Sequence, residues 1–492
     1  MNTFKKAAWF GSLLLLLVSQ PLPAQTSILP NTPVGKIARL FFEAFNADDD
    51  EPMERFTVAY RTANALQRIP LESRMAQHRQ IKGMMVSLVP RKVLKNESQH
   101  LVVLAYSETM DTWFETSFDI NQANPPKLEK FGLKPGAPPE ADSNPAFGEW
   151  ADLKGLLTSV VSRNDLPGIA MAVIENGEVS EVAVAGVRSI ESQPPIERDD
   201  RFHLGSITKS MTATLIGWLV EKGQLRSETT LKQLFPDIDM LAYYEGVTIR
   251  QLLDHTAGIP SYLTVREEKE QELLSLPGNP TQQRLAFAEL LLTEKPANEQ
   301  GQFAYSNAGY TLLATIAESL TGHTYMQLLD QVIFKPLAME TAGLGWPHST
   351  TRLNQPIGHF NEKGALRAQR SGEYELGPYI QPAGDLHASI QDLAHYVLAH
   401  LNGLKGQNGL LAASSVQWLH GTQTDQSYAG GWFVTQTKEG TRVHEHAGSA
   451  GTFMALMLIE PENNRAWVIA ANAGGLALDG LFRKLIDAYR HK

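Results

Sequence analysis

The sequence predicts an α+β protein in two domains, a small N-terminal unit followed by a larger one whose sheet is built from both ends of its own segment. Three observations predict this. The 492 residues exceed what one core usually fills. Before Lys134 the apolar period changes from helical to alternating. From residue 149 onward, β-like runs stand at both ends with helical stretches between them, so the strands of one sheet must come from distant parts of the chain.

Composition narrows the function classes. Hydrophobic content of 43% and charged content of 20% are those of an ordinary globular chain. The net charge of −10, with no run of lysine or arginine, leaves no footprint for a phosphate backbone, and nucleic acid is not an expected partner. The absence of cysteine excludes disulfides, thiolate metal sites and cysteine nucleophiles.

The elements follow in order. Residues 1–24 read as a secretory signal: two lysines, an apolar stretch from Ala7 to Val18 and a small-residue exit at Ala24. The stretch is too short to favour a permanent membrane span, and a periplasmic or secreted location is expected. An uncleaved anchor is the alternative. No cysteine follows Ala24, which argues against a lipid anchor.

Residues 31–135 open with helix-spaced Val34, Ile37, Leu40, Phe41 and Phe45. The β-rich segments "GMMVSLVPRKVL", "HLVVLAYSET" and "WFETSFDI" follow, as in an antiparallel meander. This unit resembles the nuclear-transport-factor-2-like, cystatin-type domains. Residues 136–148 are rich in proline, glycine and small polar residues and form the expected linker. The second domain, 149–492, carries β-like "GIAMAVIENGEVSEVAVAGV", helical stretches from Ser206 to Leu329, β-like "GWFVTQT", "TFMALMLIE" and "AWVIAANA", and a last helix "LDGLFRKLIDAYR".

Three short stretches carry chemistry. "HLGSITKSMTA" places Ser206 and Lys209 three apart at the head of an apolar helix, where both side chains reach one small volume. Gly205 lets a ligand approach the backbone, and the helix start offers amide hydrogens to developing negative charge. A serine hydroxyl needs a base, and a lysine serves only if its pKa falls far below about 10.4. Alone, the pair also reads as a capping serine and an exposed lysine. "AYSNAGYTLL" holds Tyr305 and Asn307 beside a helix start, and alone it reads as a capped turn. "VHEHAGSAG" puts His446, Gly448 and Ser449 at the end of an alternating segment, which alone reads as a turn with a surface histidine.

In that order the three resemble the serine β-lactamase and penicillin-binding-protein superfamily, in its class C-like branch. "LLDHTAGIP", "PAGDLHASIQDLAHYV" and "YAGGWFV" add to the resemblance, which spans most of residues 150 to 490. It implies an antiparallel sheet flanked by helices, plus a helical subdomain, with the site in the cleft between them. It further implies Ser206 as nucleophile, with Lys209 and Tyr305 exchanging protons and the acylation base open between them. Asn307 would orient the lysine and the substrate, and the oxyanion hole would be the N–H groups of Ser206 and Ser449. No metal or organic cofactor is implied, and the partner is a small ester, amide or peptide.

One departure stands out. The family's Lys-Thr-Gly is replaced by His446-Ala447-Gly448, which lacks the permanent cation suited to a carboxylate. Weak β-lactamase activity is therefore expected, with an esterase or peptidase reading in front. "AGSAG" mimics a nucleophile elbow, but too little chain follows it to build that fold. "HEH" at His444 to His446 lacks neighbouring ligands for zinc. A catalytically silent module that binds a cell-wall or peptide ligand is the alternative of a different class.

Overall fold

The computed structural model describes residues 28–490 except 48, 86, 108–111, 137–146, 148–149, 264–266, 350, 363–364, 371, 374, 423–426, 438–439 and 476. The expected signal and most of the expected linker lie outside the described residues.

The N-terminal unit begins with the helix Pro33–Asn46, where Pro33 fits the first turn and Thr32 Oγ1 accepts the Gly35 N–H at 3.2 Å. Its buried face, with Phe41, Phe42 and Phe45, packs with Phe56 and Phe118 in a separate core. Strands β1 (Val89–Asn96), β2 (His100–Ser107), β3 (Thr112–Ile120) and β4 (Leu128–Pro135) form an antiparallel meander. Two features depart from expectation. Helices Glu51–Tyr60, Ala63–Arg68 and Leu71–Met85 intervene, and Gly83–Met85, expected as strand, close the last of them. Leu71–Met85 is mostly polar, so helix-favouring Leu, Glu, Arg, Met, Gln and Lys outweigh its weak apolar period.

The larger unit centres on a seven-stranded sheet. Its early strands are β5 (Gly168–Glu175) and β6 (Glu178–Gly186). Short strands β7 (Arg201–His203), β8 (Gly343–Leu344), β9 (His359–Glu362), β10 (Ala365–Ala368) and β11 (Leu386–Ser389) form two side sheets. The late strands are β12 (Tyr428–Ala429), β13 (Trp432–Gln436), β14 (Arg442–Ser449), β15 (Met454–Glu460) and β16 (Arg465–Ala471). The large sheet has the order β12-β13-β14-β15-β16-β5-β6, all pairs antiparallel. Late β16 thus pairs with early β5, as the split β-like segments require.

Alternation decides what each face covers. Ile169, Met171 and Val173 of β5 pack into the core shared with helices Leu153–Arg163 and Ala477–Arg490. Ala170, Ala172 and Ile174 face the main core, which includes the helix Thr208–Glu221 and the helical subdomain. Fully burying each large apolar side chain contributes about 1.5–3 kcal/mol. The Ser261–Gln302 insertion contributes the helices Glu267–Leu274 and Pro280–Leu291.

Candidate active site

The Ser206 turn sits where the end of β14 meets the head of the helix Thr208–Glu221. Gly205 has φ +51, and a Cβ there would lie 2.4 Å from Ser449 N. A Cβ on Gly448 would lie 2.0 Å from Leu204 O and 2.8 Å from Ser206 N. Only glycine at both positions lets strand and turn lie backbone to backbone. The contact brings the amides of Ser206 and Ser449 to one place, with Ser206 partly exposed. The "PAGD" segment braces the turn: Leu204 N–H donates to Leu386 O at 2.8 Å, and Leu386 N–H to Thr208 Oγ1 at 3.1 Å.

Lys209 is fully buried one helical turn from Ser206. Its Nζ lies 3.1 Å from Ser206 Oγ and donates to Ala383 O at 2.7 Å. Burial holds its pKa well below the ordinary lysine value. A neutral amine with one N–H on Ala383 O can aim its lone pair at the serine proton. The Tyr305 ring lies beside the pair, with Lys209 Nζ 4.7 Å from its centre. Burial raises the pKa of the phenol, so Tyr305 keeps its proton at neutral pH.

His446 is buried rather than on the surface. Its Nδ1 donates to Ala447 O at 2.6 Å, so Nε2 is the acceptor and faces Tyr428 OH at 3.3 Å. Burial first, then the neighbouring Lys209, lowers its pKa to about 3. It is a neutral imidazole. His444 turns to His420, Nδ1 to Nδ1 at 3.1 Å, so the two histidines of "HEH" serve different neighbours.

Asn307 departs from expectation. Its Nδ2 donates to Tyr262 O at 3.1 Å and its Oδ1 is enclosed without a partner, so it does not hold Lys209. The Ala383 carbonyl takes that place. Tyr262 has φ +47, a turn that aims its carbonyl at the asparagine amide.

Several residues of the site had a motif in the sequence but no role. His255, from "LLDHTAGIP", has φ +58 and stacks within 4.3 Å of Tyr305 and 4.7 Å of Tyr428, measured between ring centres. Its Nδ1 accepts the Ser306 N–H at 3.1 Å, which fixes the strand-like entry to the helix Asn307–Thr321. Tyr428, from "YAGGWFV", closes over His446. Among the described residues no group of histidines and carboxylates is arranged to hold a metal ion.

Acyl transfer on a serine is the chemistry that Ser206 beside the buried Lys209 can serve. Residues 153–488 match the Beta-lactamase family, and the chain belongs to that family. Protein flp of Staphylococcus aureus (strain COL) is 25% identical over 316 residues, 63% of this chain and 61% of the relative. The chain thus spans about three fifths of that relative's length. Penicillin-binding protein 4 of Amycolatopsis lactamdurans is 25% identical over 341 residues, 66% of this chain and 86% of the relative. The octameric penicillin-binding protein homologue from Pyrococcus abyssi is similar in structure, with a TM-score of 0.52, 25% identity and coverage of 64% of this chain and 71% of that one.

Proposed function

We propose that the protein hydrolyses a small ester or amide lacking a free carboxylate beside the scissile bond, through an acyl-enzyme on Ser206. One observation carries this reading: the fully buried Lys209 amine, its pKa lowered, lies 3.1 Å from Ser206 Oγ. Lys209 takes the serine proton as Oγ bonds to the carbonyl carbon. The oxyanion forms beside the amides of Ser206 and Ser449. Tyr305 then protonates the leaving group as Lys209 passes the serine proton on to it, and the carbon–leaving-group bond breaks. Water attacks the ester, the same bases take its proton, and Ser206 leaves with its own restored.

Asn307 Oδ1, enclosed without a partner, is an acceptor for a substrate N–H. The neutral His446 supplies no cation where a carboxylate would need one. That supports slow turnover of β-lactams. The penicillin-binding names of two relatives make amide bonds the first alternative to esters. The signal-like residues 1–24 support action outside the cytoplasm.

The test is turnover of p-nitrophenyl acetate and butyrate, D-phenylalanine p-nitroanilide and nitrocefin by the wild type and Ser206→Ala. A loss of about 10³-fold or more is expected on the best substrate, with nitrocefin the slowest. Wild-type turnover equal to that of Ser206→Ala, with no fluorophosphonate label on Ser206, would establish the silent binding module instead.

A further inference from the structure

Three arginines among the described residues are less than 9% exposed, and two of them are neutralised in the usual way. Arg188 Nε reaches Asp200 at 2.8 Å, and Arg284 Nη2 reaches Glu318 at 2.6 Å. The third, Arg61, lies in the N-terminal unit, far in sequence from Ser206, and is 8% exposed. It follows the helix Glu51–Tyr60, and Thr62 beside it donates its N–H to Leu128 O at 3.1 Å, which fixes the segment against β4.

No carboxylate among the described residues pairs with Arg61. Its Nε is enclosed without an acceptor, and its one close neighbour of opposite electrostatic character is the face of Phe131, 5.8 Å from the guanidinium carbon. A ring face offsets only a small part of what enclosing an uncompensated charge costs. A second cation makes matters worse. Arg74 donates Nε to Ile69 O at 3.0 Å and Nη2 to Ala65 O at 2.7 Å, closing the end of the helix Ala63–Arg68. Burial and the approach of Arg74 pull the Arg61 pKa down to about 10, still high enough for a full charge at neutral pH. The Arg61 charge, with no carboxylate among the described residues to meet it, leaves room in the charge balance for one anion.

We propose that Arg61, backed by the field of Arg74, is the anchor of an anion-binding site in the N-terminal unit for a small oxyanion, carboxylate or phosphate. With Nε enclosed, the terminal nitrogens Nη1 and Nη2 are the edge that meets the ligand. That edge presents paired N–H groups in one plane, the geometry that grips two oxygens of one anion. The neighbours of Arg61 include Phe131 and Arg74 and no serine or lysine of the Ser206 centre, so its ligand is held rather than hydrolysed there.

The test is calorimetric titration of the full chain with sodium phosphate and, separately, sodium acetate, at constant ionic strength set by chloride. Saturable binding of at least one anion is expected. Phosphate alone would identify a tetrahedral ligand, and acetate alone a carboxylate. Arg61→Met is expected to weaken that binding at least tenfold while unfolding, in chloride alone, at the wild-type temperature or above, since it removes an unpaired charge. Arg61→Lys keeps the charge and loses the planar fork, and is expected to weaken binding at least fivefold, which serves should the methionine variant not fold. A wild type that binds neither anion, or variants that bind as the wild type does, would overturn the proposal. Ester turnover by Ser206 is expected to be unchanged in both variants.

Discussion

Lowering the pH from 8 to 5 should cost this protein stability, through histidines folded away in neutral form. His400, His420 and His444 form a chain behind the site, His400 Nδ1 to His420 Nε2 at 3.0 Å and His420 Nδ1 to His444 Nδ1 at 3.1 Å. Its direction is fixed at one end. Thr214 Oγ1 donates to Ser210 O, so toward His400 Nε2, 3.2 Å away, it can only accept. His400 therefore carries its proton on Nε2, His420 on Nε2 and His444 on Nδ1. A further proton on His400 or His420 sets two N–H groups face to face.

The magnitude follows from linkage. Burial is the leading cause that lowers the pKa of His387, His400 and His446 to about 3 and of His444 to about 4. In the unfolded chain each titrates near 6.5. Their stabilising effect is thus complete above pH 6.5 and is lost as pH falls toward the folded values. At pH 5 each costs about 2 kcal/mol, set almost wholly by the unfolded pKa, since the folded form stays neutral. Four such groups cost about 8 kcal/mol, offset in part by Asp254 and Asp385, whose burial raises their pKa to about 6 and about 8 so that they gain protons over the same range. Urea unfolding followed by far-ultraviolet circular dichroism between pH 8 and 5 should show the midpoint falling steeply below pH 6.5. A midpoint that stays level to pH 5 would refute the neutral, enclosed chain.

Two substitutions test the site itself. Gly448→Ala should separate β14 from the Ser206 turn, because its Cβ would fall 2.0 Å from Leu204 O, and ester turnover should drop at least 100-fold while bulk helicity persists. Lys209→Met should abolish burst-phase acylation yet raise the unfolding temperature, since a buried amine is exchanged for an apolar chain of similar length. Unchanged turnover in Gly448→Ala, or a normal burst in Lys209→Met, would remove the assigned role.

What the sequence made legible is what local spacing encodes. Ser206 and Lys209 meet because a helix turn separates them, and Ser449 follows the glycine that lets a strand touch that turn. The pairing of β16 with β5 was foreseeable because apolar runs at both ends of a segment need one another. The anchor of Lys209 was not foreseeable: it is the backbone carbonyl of Ala383, and a carbonyl leaves no mark on residue identity. Only the lysine-orienting half of the Asn307 reading failed, for a related reason, since its amide answers to Tyr262 O in a loop whose turn depends on tertiary packing. The helices from Glu51 to Met85 escaped notice because few of their residues reach the core, which leaves no clear period.

The pairing of β16 with β5 also has a consequence for how the chain is made. Arg465 lies against Glu175, Val468 against Ala172 and Ala471 against Ile169, so the centre of the sheet is stitched from the two ends of the catalytic segment. A nascent or truncated chain that stops before Arg465 leaves β5 and β15 with bare edges and no partner to close them. Assembly of the sheet must wait for β16, roughly 300 residues after β5, which makes its folding slow. Activity thereby depends on a late strand: the turn that carries Ser206 is held by β14, and β14 stands in a sheet that closes only once β16 is made.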